Sequence, residues 1–384
     1  MAIAQVASTR TPFLIITVLS ALLLQGWLIT NGAFAAMFIA VWKGHWENGH
    51  QLHRIYTGIP VIDWTLAVSV TFWDQLTVEL EATRLESAML CASLQSLSVW
   101  ASIERMRRGK KHVALQWLPF YMFAVQYFGT AIFLPFYFYL DLGQHFSGKV
   151  SDPSVEYREA RALLPAAAIA FLNCYRMVFF PPSGITQSMH QAHIAFYQLG
   201  PFTCYALVAA FSTFESRNKE RSSPQMKNAD AWWIKTTYAV FGAFSGVIHI
   251  AIVGYAKISS NKSLSLSRLF VPEISRTWKP DAVTIRYTEE HLFFLQWDFI
   301  LIVLACAVYG TRTLEGMYCK QKGGWTSVQG GAALVLLVGI ACMIFGPGAT
   351  ISFILYLRED IIRADYENET GRSTLQEKES ANIR

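Results

Sequence analysis

The sequence contains few charged residues. Only 15% of its 384 residues are Asp, Glu, Lys or Arg, whereas a soluble globular domain carries about 25%. Hydrophobic residues make up 53% of the chain and aromatic residues 14%. The charged residues cluster and leave apolar windows of about 20 residues, the length that crosses the hydrocarbon core of a bilayer. The composition therefore excludes an ordinary soluble domain and predicts an integral membrane protein.

Cysteine and diagnostic motifs are also scarce. The six cysteines show no CxxC spacing and are interpreted as packing residues rather than as a zinc site or a disulfide framework. The chain has no DDxxD or DxDD run and no pair of Asp-rich motifs for magnesium and a diphosphate, nor a P-loop, GxSxG or GxGxxG motif. These absences disfavour ionisation of a diphosphate and favour direct protonation, and we predict no cofactor.

Hydropathy predicts an all-α, polytopic membrane bundle of about nine transmembrane helices, or eight if the fifth is not a span. The predicted spans are residues 12–42, 58–80, 85–103, 113–140, 160–180, 189–211, 231–256, 291–309 and 331–357. They form a single bundle domain, residues 1–357. The polar tail that follows, residues 358–384, is expected to be disordered.

The loops between these spans carry unequal numbers of Lys and Arg. The more basic side includes the C-terminal tail, which places the C-terminus in the cytosol and the N-terminus in the lumen, with the endoplasmic reticulum as the expected membrane. The net charge of +5 comes from short patches, so nucleic-acid binding is not expected. The expected partners are the lipid bilayer and a hydrophobic small molecule, and the sequence identifies no protein partner.

Ionisable residues inside a span are costly unless they are paired or hydrated, so each is a candidate functional residue. The second predicted span contains Asp63 and Asp74, whose spacing places them near one helix face. The eighth contains Asp298 near its middle, with His291 on the same face. A carboxyl group in a low dielectric tends to stay protonated, and such an acid can start a carbocation reaction at an alkene or epoxide. Asp74 and Asp298 are therefore the candidate catalytic acids.

Other side chains are expected to complete a pocket with a polar mouth. The predicted substrate-binding residues are Asp63, Trp73, Arg176, His249, His291 and Trp297. Each has a structural alternative, because buried polar side chains often only join neighbouring helices, and Arg176 could form a salt bridge with Asp63. His190 and His193 have a spacing that could bind a metal ion, but this signal is weak and no metal site is predicted.

Aromatic residues are dense around the fourth predicted span. They are Tyr121, Phe123, Tyr127, Phe128 and the segment FLPFYFYLD from Phe133 to Asp141. Aromatic faces stabilise cations, so an aromatic-walled pocket with one acid would suit the cyclisation of a polyene. The alternative is an interfacial belt, which many membrane proteins have.

The FWDQL stretch around Asp74, the QWDF stretch around Asp298 and the FLPFYFYLD segment carry a family resemblance. Together with many short-looped spans and no nucleotide motif, they resemble the fungal integral-membrane terpene cyclases of meroterpenoid biosynthesis, of the macrophorin, ascochlorin or ascofuranone type. The resemblance implies a non-metal cyclase that protonates the terminal olefin or epoxide of a farnesyl chain on an aromatic or polyketide head. It also implies two acids in separate helices, which by motif position are Asp74 and Asp298.

Two other function classes stay open at this point. In a transporter or receptor, the same buried acids would bind an ion or a ligand, and the GPG sequence at Gly346–Gly348 would break the last span. In a different lipid enzyme, such as a sterol isomerase, carboxylates and histidines would also move protons inside a membrane pocket.

Overall fold

The protein is helical throughout the part of the chain that its computed structural model describes. This part comprises residues 2–78, 80–109, 129–145, 151–218, 228–261, 264–277, 283–322 and 328–382. Extended backbone pairs there only in an isolated bridge between His45 and Gln51. The predicted all-α class is confirmed.

The helices differ greatly in length. They are α1 (Ala2–Ser20), α2 (Trp27–Thr30), α3 (Ala33–Lys43), α4 (Pro60–Val78), α5 (Glu81–Met106), α6 (Thr130–His145), α7 (Tyr157–Ala167), α8 (Asn173–Phe179), α9 (Gln187–Gln198), α10 (Gly200–Asn218), α11 (Ala229–Ile258), α12 (Leu266–Phe270), α13 (Ile274–Thr277), α14 (Val283–Lys322), α15 (Val328–Phe345) and α16 (Pro347–Asn382). Two π-helical turns, Ala21–Gly26 and Ala168–Leu172, join α1 to α2 and α7 to α8. Such turns often occur at functional sites.

Helix α5 is the centre of the bundle. Of its 26 residues, 21 are buried, and it packs against α4, α11, α14 and α16. Its polar side chains, among them Glu86, Gln95 and Glu104, therefore face protein. A helix enclosed on all sides does not need an apolar lipid-facing surface, which explains why α5 is less apolar than the outer helices.

Small residues allow α16 to approach α5 and α11 closely. A Cβ atom on Gly348 would lie 2.7 Å from the Ser93 Cα atom, and one on Gly242 would lie 2.8 Å from the Ser352 Cβ atom. The Ser93 and Ser245 hydroxyl groups are 3.2 Å apart at the same crossing. Close backbone packing through glycine and serine is typical of helices in membranes.

Four described helical segments are long and apolar enough to cross a membrane. They are Thr11–Thr30, Tyr157–Phe179, Ala229–Ile258 and Tyr287–Met317. A fifth span results if Gln187–Gln198 and Gly200–Phe214, bent by 61° relative to each other, are taken together. The described residues thus contain fewer candidate spans than the nine predicted.

The difference has local causes. The last predicted span is divided by Gly346, a glycine with a φ of +87° that ends the helix, whereas Gly32, with a φ of +86°, only shortens the first span, which is still one of the four. The second and third form the helices α4 and α5, but their inward-facing polar residues lower their apolarity. Much of the fourth, with Tyr121, Phe123, Tyr127 and Phe128, lies outside the described residues.

Helix α16 extends through the segment predicted to be a polar tail and ends at Asn382. The first turns of this segment contribute Arg358, Glu359 and Arg363 to an ionic cluster, which also contains Glu104, Arg107 and Asp230. All six side chains are buried. These three charged residues of the predicted tail therefore pack inside the protein.

Candidate functional site

A largely apolar cavity lies between the first π-helical turn, α2, α3, α4, α5, α6 and α14. The space not filled by protein atoms is about 590 Å³, a volume that includes the open mouth of the cavity. It is lined by Gln25, Leu28, Phe34, Met37, Val68, Ser69, Phe72, Trp73, Leu90, Leu94, Gly129, Thr130, Phe294, Leu295 and Asp298. Among the described lining residues, Asp298 supplies the one carboxyl group, and we call the space the Asp298 cavity.

The Asp298 carboxyl group is held by the first turn of α6. Its Oδ1 atom accepts a hydrogen bond from the Ala131 N–H at 2.7 Å, and its Oδ2 atom accepts one from the Thr130 N–H at 3.2 Å. No Lys, Arg or His contacts it among the described residues. The N-terminus of a helix favours negative charge, so α6 orients the carboxyl group and stabilises it once it has lost a proton.

Gly129 permits this arrangement. Its φ of +106° is in the region that favours glycine, and a Cβ atom there would lie 3.1 Å from Phe294 Cζ and 3.2 Å from Leu24 Cδ1. A side chain at this position would collide with these two residues and displace the start of α6. The close approach of α6 to Asp298 therefore depends on glycine.

Aromatic rings form one wall of the cavity. The Phe72 ring lies 5.5 Å from that of Trp73 and 5.4 Å from that of Phe294, both in edge-to-face geometry. Behind it lies His291, whose ring is 4.6 Å from Phe72 and whose nitrogens have no hydrogen-bond partner among the described residues. Of these two residues, Trp73 lines the cavity, whereas His291 lies one layer behind it.

Asp74 lies outside this lining, in a separate polar cluster. Its Oδ2 atom is 2.7 Å from His50 Nε2 and accepts a hydrogen bond of 2.8 Å from Gln191. Gln187 is 2.8 Å from the same His50 nitrogen, and the His50 side chain is 21% exposed. We call Asp74, His50, His190, Gln187 and Gln191 the Asp74 cluster; it extends from the interior to the surface.

The Asp74 cluster can hold a proton. His190 Nε2 lies 2.9 Å from the Val178 carbonyl oxygen, which can only accept, so this nitrogen carries a hydrogen. The other ring nitrogen, Nδ1, faces Asp74 Oδ1 at 3.6 Å, slightly beyond a hydrogen bond. A proton on His190 Nδ1 or on Asp74 Oδ1 would form a hydrogen bond between the two side chains. The pair can therefore serve as an acid or a base.

A comparison with known proteins identifies the family of this chain. The model of the CtvD domain matches residues 9–363, which include both candidate acids. The chain belongs to the CtvD-domain family. Two curated relatives are both described as terpene cyclase DEP1. The protein of Alternaria brassicicola is 28% identical over 353 residues, covering 86% of this chain and 93% of the relative. That of Fusarium langsethiae is 27% identical over 370 residues, covering 92% and 98%.

No solved structure matches the chain. The predicted resemblance to fungal terpene cyclases is confirmed by these relatives, which match nearly the whole chain.

Three other predicted binding residues of this CtvD-domain protein lie away from the cavity lining. Asp63 accepts hydrogen bonds from the backbone N–H groups of residues 56, 57 and 58, and thereby fixes the loop before α4. Arg176 is exposed and makes no ion pair with Asp63 among the described contacts. Trp297 packs against Phe293 at 6.4 Å and belongs to a different face of α14 from Asp298.

His249 is buried next to the break between α15 and α16. Its Nε2 atom lies 2.9 Å from the Met343 carbonyl oxygen, and a Cβ atom on Gly346 would lie 3.2 Å from the His249 Cβ. The GPG sequence thus breaks the helix as its composition suggests, and the histidine binds one of the carbonyl groups freed there.

The FLPFYFYLD segment forms packed core rather than a cavity wall. Within it, Phe138 stacks on Tyr309 at 4.1 Å, and Trp100 contacts Phe138 at 5.2 Å and Tyr137 at 5.0 Å. The Tyr309 hydroxyl group donates to Asp141. The aromatic wall predicted for this segment is instead supplied by Phe72, Trp73 and Phe294.

Glu86 is a functional candidate that the sequence analysis missed. It is fully buried, and neither carboxyl oxygen has a hydrogen-bond partner among the described residues. The signal was available, because Glu86 lies inside the predicted span 85–103. Gln25 and His50 carried no comparable signal, since the first lies in a π-turn and the second in a loop.

In the described part of the chain, no group of three or more His, Cys, Asp or Glu side chains could hold a metal ion. His190 and His193 do not converge, since the His193 ring binds the Met189 carbonyl group of its own helix.

Proposed function

We propose that this CtvD-domain protein is a membrane-embedded terpene cyclase that protonates the terminal olefin or epoxide of a farnesylated aromatic or polyketide substrate. The observation that carries this proposal is Asp298, a carboxyl group without a cation partner among the described residues, inside an apolar cavity with an aromatic wall. The terpene cyclase names of the two relatives support the same conclusion.

The cavity offers what an acid-initiated cyclisation requires. Protonated Asp298 would donate its proton to the terminal olefin or epoxide of the bound chain, and the Thr130 and Ala131 N–H groups would stabilise the resulting carboxylate. Phe72, Trp73 and Phe294 would face the positive charge as it moves along the chain. Apolar walls would fold the chain and exclude water that would otherwise quench the cation.

The Asp74 cluster has a different role in the proposed reaction. Asp74 follows Trp73, which lines the cavity, and the cluster reaches the surface through His50. Its histidine and glutamine side chains could hydrogen-bond the polar head of the substrate, and the Asp74–His190 pair could take up the proton that the final cation releases. The reaction would use no cofactor and no metal ion.

The test uses microsomes that carry the wild type, Asp298→Asn, Asp74→Asn or the surface control Asp360→Asn. Each is incubated with a farnesylated aromatic compound and with its terminal epoxide. Cyclisation leaves the mass unchanged, so ring number is determined by NMR on chromatographically separated products. We expect Asp298→Asn to lower turnover about 100-fold or more, whereas Asp360→Asn, in an exposed ion pair, retains it.

The same assay separates the two roles open to Asp74. A raised KM with an unchanged kcat would indicate binding of the head, and a lowered kcat with an unchanged KM would indicate proton transfer. In D2O, protonation of an olefin places deuterium on carbon, whereas protonation of an epoxide places it only on an exchangeable hydroxyl group. If the wild type converts neither substrate, the proposal fails, and transport in proteoliposomes and sterol isomerisation become the functions to assay.

A further inference from the structure

Glu86 lies on the helix face that lines the Asp298 cavity. Residues four apart on a helix share a face, and Glu86 precedes Leu90 and Leu94, which both line the cavity, by one and two turns. On the facing helix α14, Phe294 and Asp298 have the same spacing and the same lining role. Helices α5 and α14 pack against each other, and Glu86 is within electrostatic range of Asp298.

The surroundings of Glu86 favour its neutral form. It is completely buried, and both carboxyl oxygens lack a hydrogen-bond donor among the described residues. An ionised carboxylate in such a position would cost far more free energy than a neutral acid. The nearest cation acting on it is Arg268 of α12, whose guanidinium group is already bound to the Glu289 carboxylate.

Asp298 is buried as well, but it differs from Glu86 in its hydrogen bonds. Burial favours its neutral form, whereas two backbone N–H groups at the start of α6 bind its carboxyl oxygens and stabilise the ionised form. Two neighbouring carboxyl groups whose environments differ in this way commonly divide the roles of proton holder and proton acceptor. Arg268, Glu289 and Asp298 are the charged groups identified around Glu86 from α12 and α14.

We propose that Glu86 is a second carboxyl group of the Asp298 site, which holds a proton and returns it to Asp298 in each cycle. This inference rests on the proposed cyclase function. Glu86 acts through Asp298, so it is a positioning residue for the proton and does not itself touch the substrate.

The proton balance of the cycle closes. Asp298 gives its proton to the olefin or epoxide and becomes a carboxylate. The Glu86 O–H bond then breaks as its proton passes to Asp298, directly or through one water molecule. The product cation loses a proton to the Asp74–His190 pair as its final alkene forms, this pair releases the proton to water through His50, and a proton from water restores the Glu86 carboxyl group. One turnover therefore neither consumes nor releases a proton overall.

The first test needs no substrate. Infrared spectra of the purified full-length protein at neutral pH are compared for the wild type, Glu86→Gln, Asp298→Asn and the control Glu81→Gln, a partly exposed acid at the start of the same helix. We expect a band of a protonated carboxyl group that Glu86→Gln abolishes, Asp298→Asn shifts and Glu81→Gln retains. A wild-type spectrum that Glu86→Gln leaves unchanged in this region would mean that Glu86 is ionised and would overturn the inference.

The second test is turnover as a function of pH. Glu86→Gln keeps the shape of the side chain but cannot give up a proton, so we expect kcat to fall about tenfold or more with KM within about twofold of the wild type. Glu86→Asp should restore part of the rate and shift the pH profile. A merely structural role would instead lower the thermal midpoint, which removing an unpartnered carboxyl group should not do.

The two tests keep this inference distinct from the proposed function. An active wild type with an equally active Glu86→Gln variant overturns the role of Glu86 alone. An inactive wild type overturns the cyclase proposal, and the infrared comparison then still decides whether Glu86 holds a proton that Asp298 perturbs.

Discussion

Buried carboxyl groups have opposite surroundings in the ionic cluster and in the Asp298 cavity. In the ionic cluster, Arg107 lies 3.1 Å from Glu104 and 2.6 Å from Glu359, and Arg363 lies 2.7 Å from Asp230. Burial lowers the pKa of Arg107, but the Glu104 and Glu359 carboxylates more than offset this and raise it well above its usual value. Each acidic residue of the ionic cluster forms an ion pair with an arginine. In the cavity, Asp298 has hydrogen-bond donors from Thr130 and Ala131 but no arginine, and Glu86 has no donor among the described residues.

The comparison shows that burial of an acid does not by itself indicate chemistry. An acid paired with arginine is locked in its ionised form and ties helices together. An acid without a cation can gain and lose a proton, which catalysis requires. The two regions should therefore respond to mutation in opposite ways, with stability lost in the ionic cluster and turnover lost in the cavity.

Glu359→Gln has the largest expected effect on stability. It removes a carboxylate that Arg107 and Arg363 share, and breaking a buried ion pair costs about 3–5 kcal/mol. The thermal midpoint of the detergent-solubilised protein should fall accordingly, while turnover per folded molecule is retained. The matched control is its neighbour Asp360→Asn, whose exposed ion pair with Lys235 should contribute less than about 1 kcal/mol. Equal midpoints for the two variants would contradict the structural role of the cluster.

Gly129→Ala should have an intermediate effect on stability and should also lower turnover. Its positive φ costs about 1–3 kcal/mol for a residue with a side chain, and the added Cβ atom crowds Phe294 and Leu24. Because α6 then moves relative to Asp298, turnover should fall together with the thermal midpoint. Gly184→Ala is the control, since it has the same sign of φ but nothing within 4 Å. Loss of turnover in both variants would show that strain alone is responsible.

Asp63→Asn should have the smallest effect and sharpens the comparison. Asp63 resembles Asp298 in accepting several backbone N–H groups, but it holds a loop and does not line the cavity. Weakening these hydrogen bonds should lower stability by about 1–2 kcal/mol and leave kcat of the folded protein unchanged. A lost kcat at an unchanged thermal midpoint would instead favour the substrate contact predicted from the sequence.

The sequence indicated the deep acids because an ionisable residue in an apolar run is conspicuous on its own. That criterion found Asp298 and Asp74, and it would also have found Glu86 had it been applied to every predicted span. It could not separate Asp74 from the cavity, because Trp73 and Asp74 are about 100° apart around the helix and only one of them faces the cavity. For the same reason, the sequence could not show that Asp298 faces the cavity and that its neighbour Trp297 does not.

Contacts between distant parts of the chain could not be predicted in the same way. The backbone donors of Asp298 come from residues 130 and 131, and nothing local to QWDF identifies them. The sequence did not show that Arg358 and Arg363 of the polar tail are buried, because their partners Glu104 and Asp230 lie on α5 and α11, far away in sequence. Helix α5, a predicted span, is not among the four or five candidate spans of the described residues, because the polar residues that it turns toward protein lower its apolarity.

The Asp298 cavity has a consequence for how the protein is made. Its walls come from residues 25–37 at one end of the sequence and from residues 294–298 near the other. At a synthesis rate of about 5–20 residues per second, the ribosome needs roughly 15 to 50 s to pass from the first wall to the last. Throughout that interval the apolar residues of α2 and α3 lack the partners that Phe294 and Leu295 of α14 later provide, so the cavity can close only near the end of synthesis.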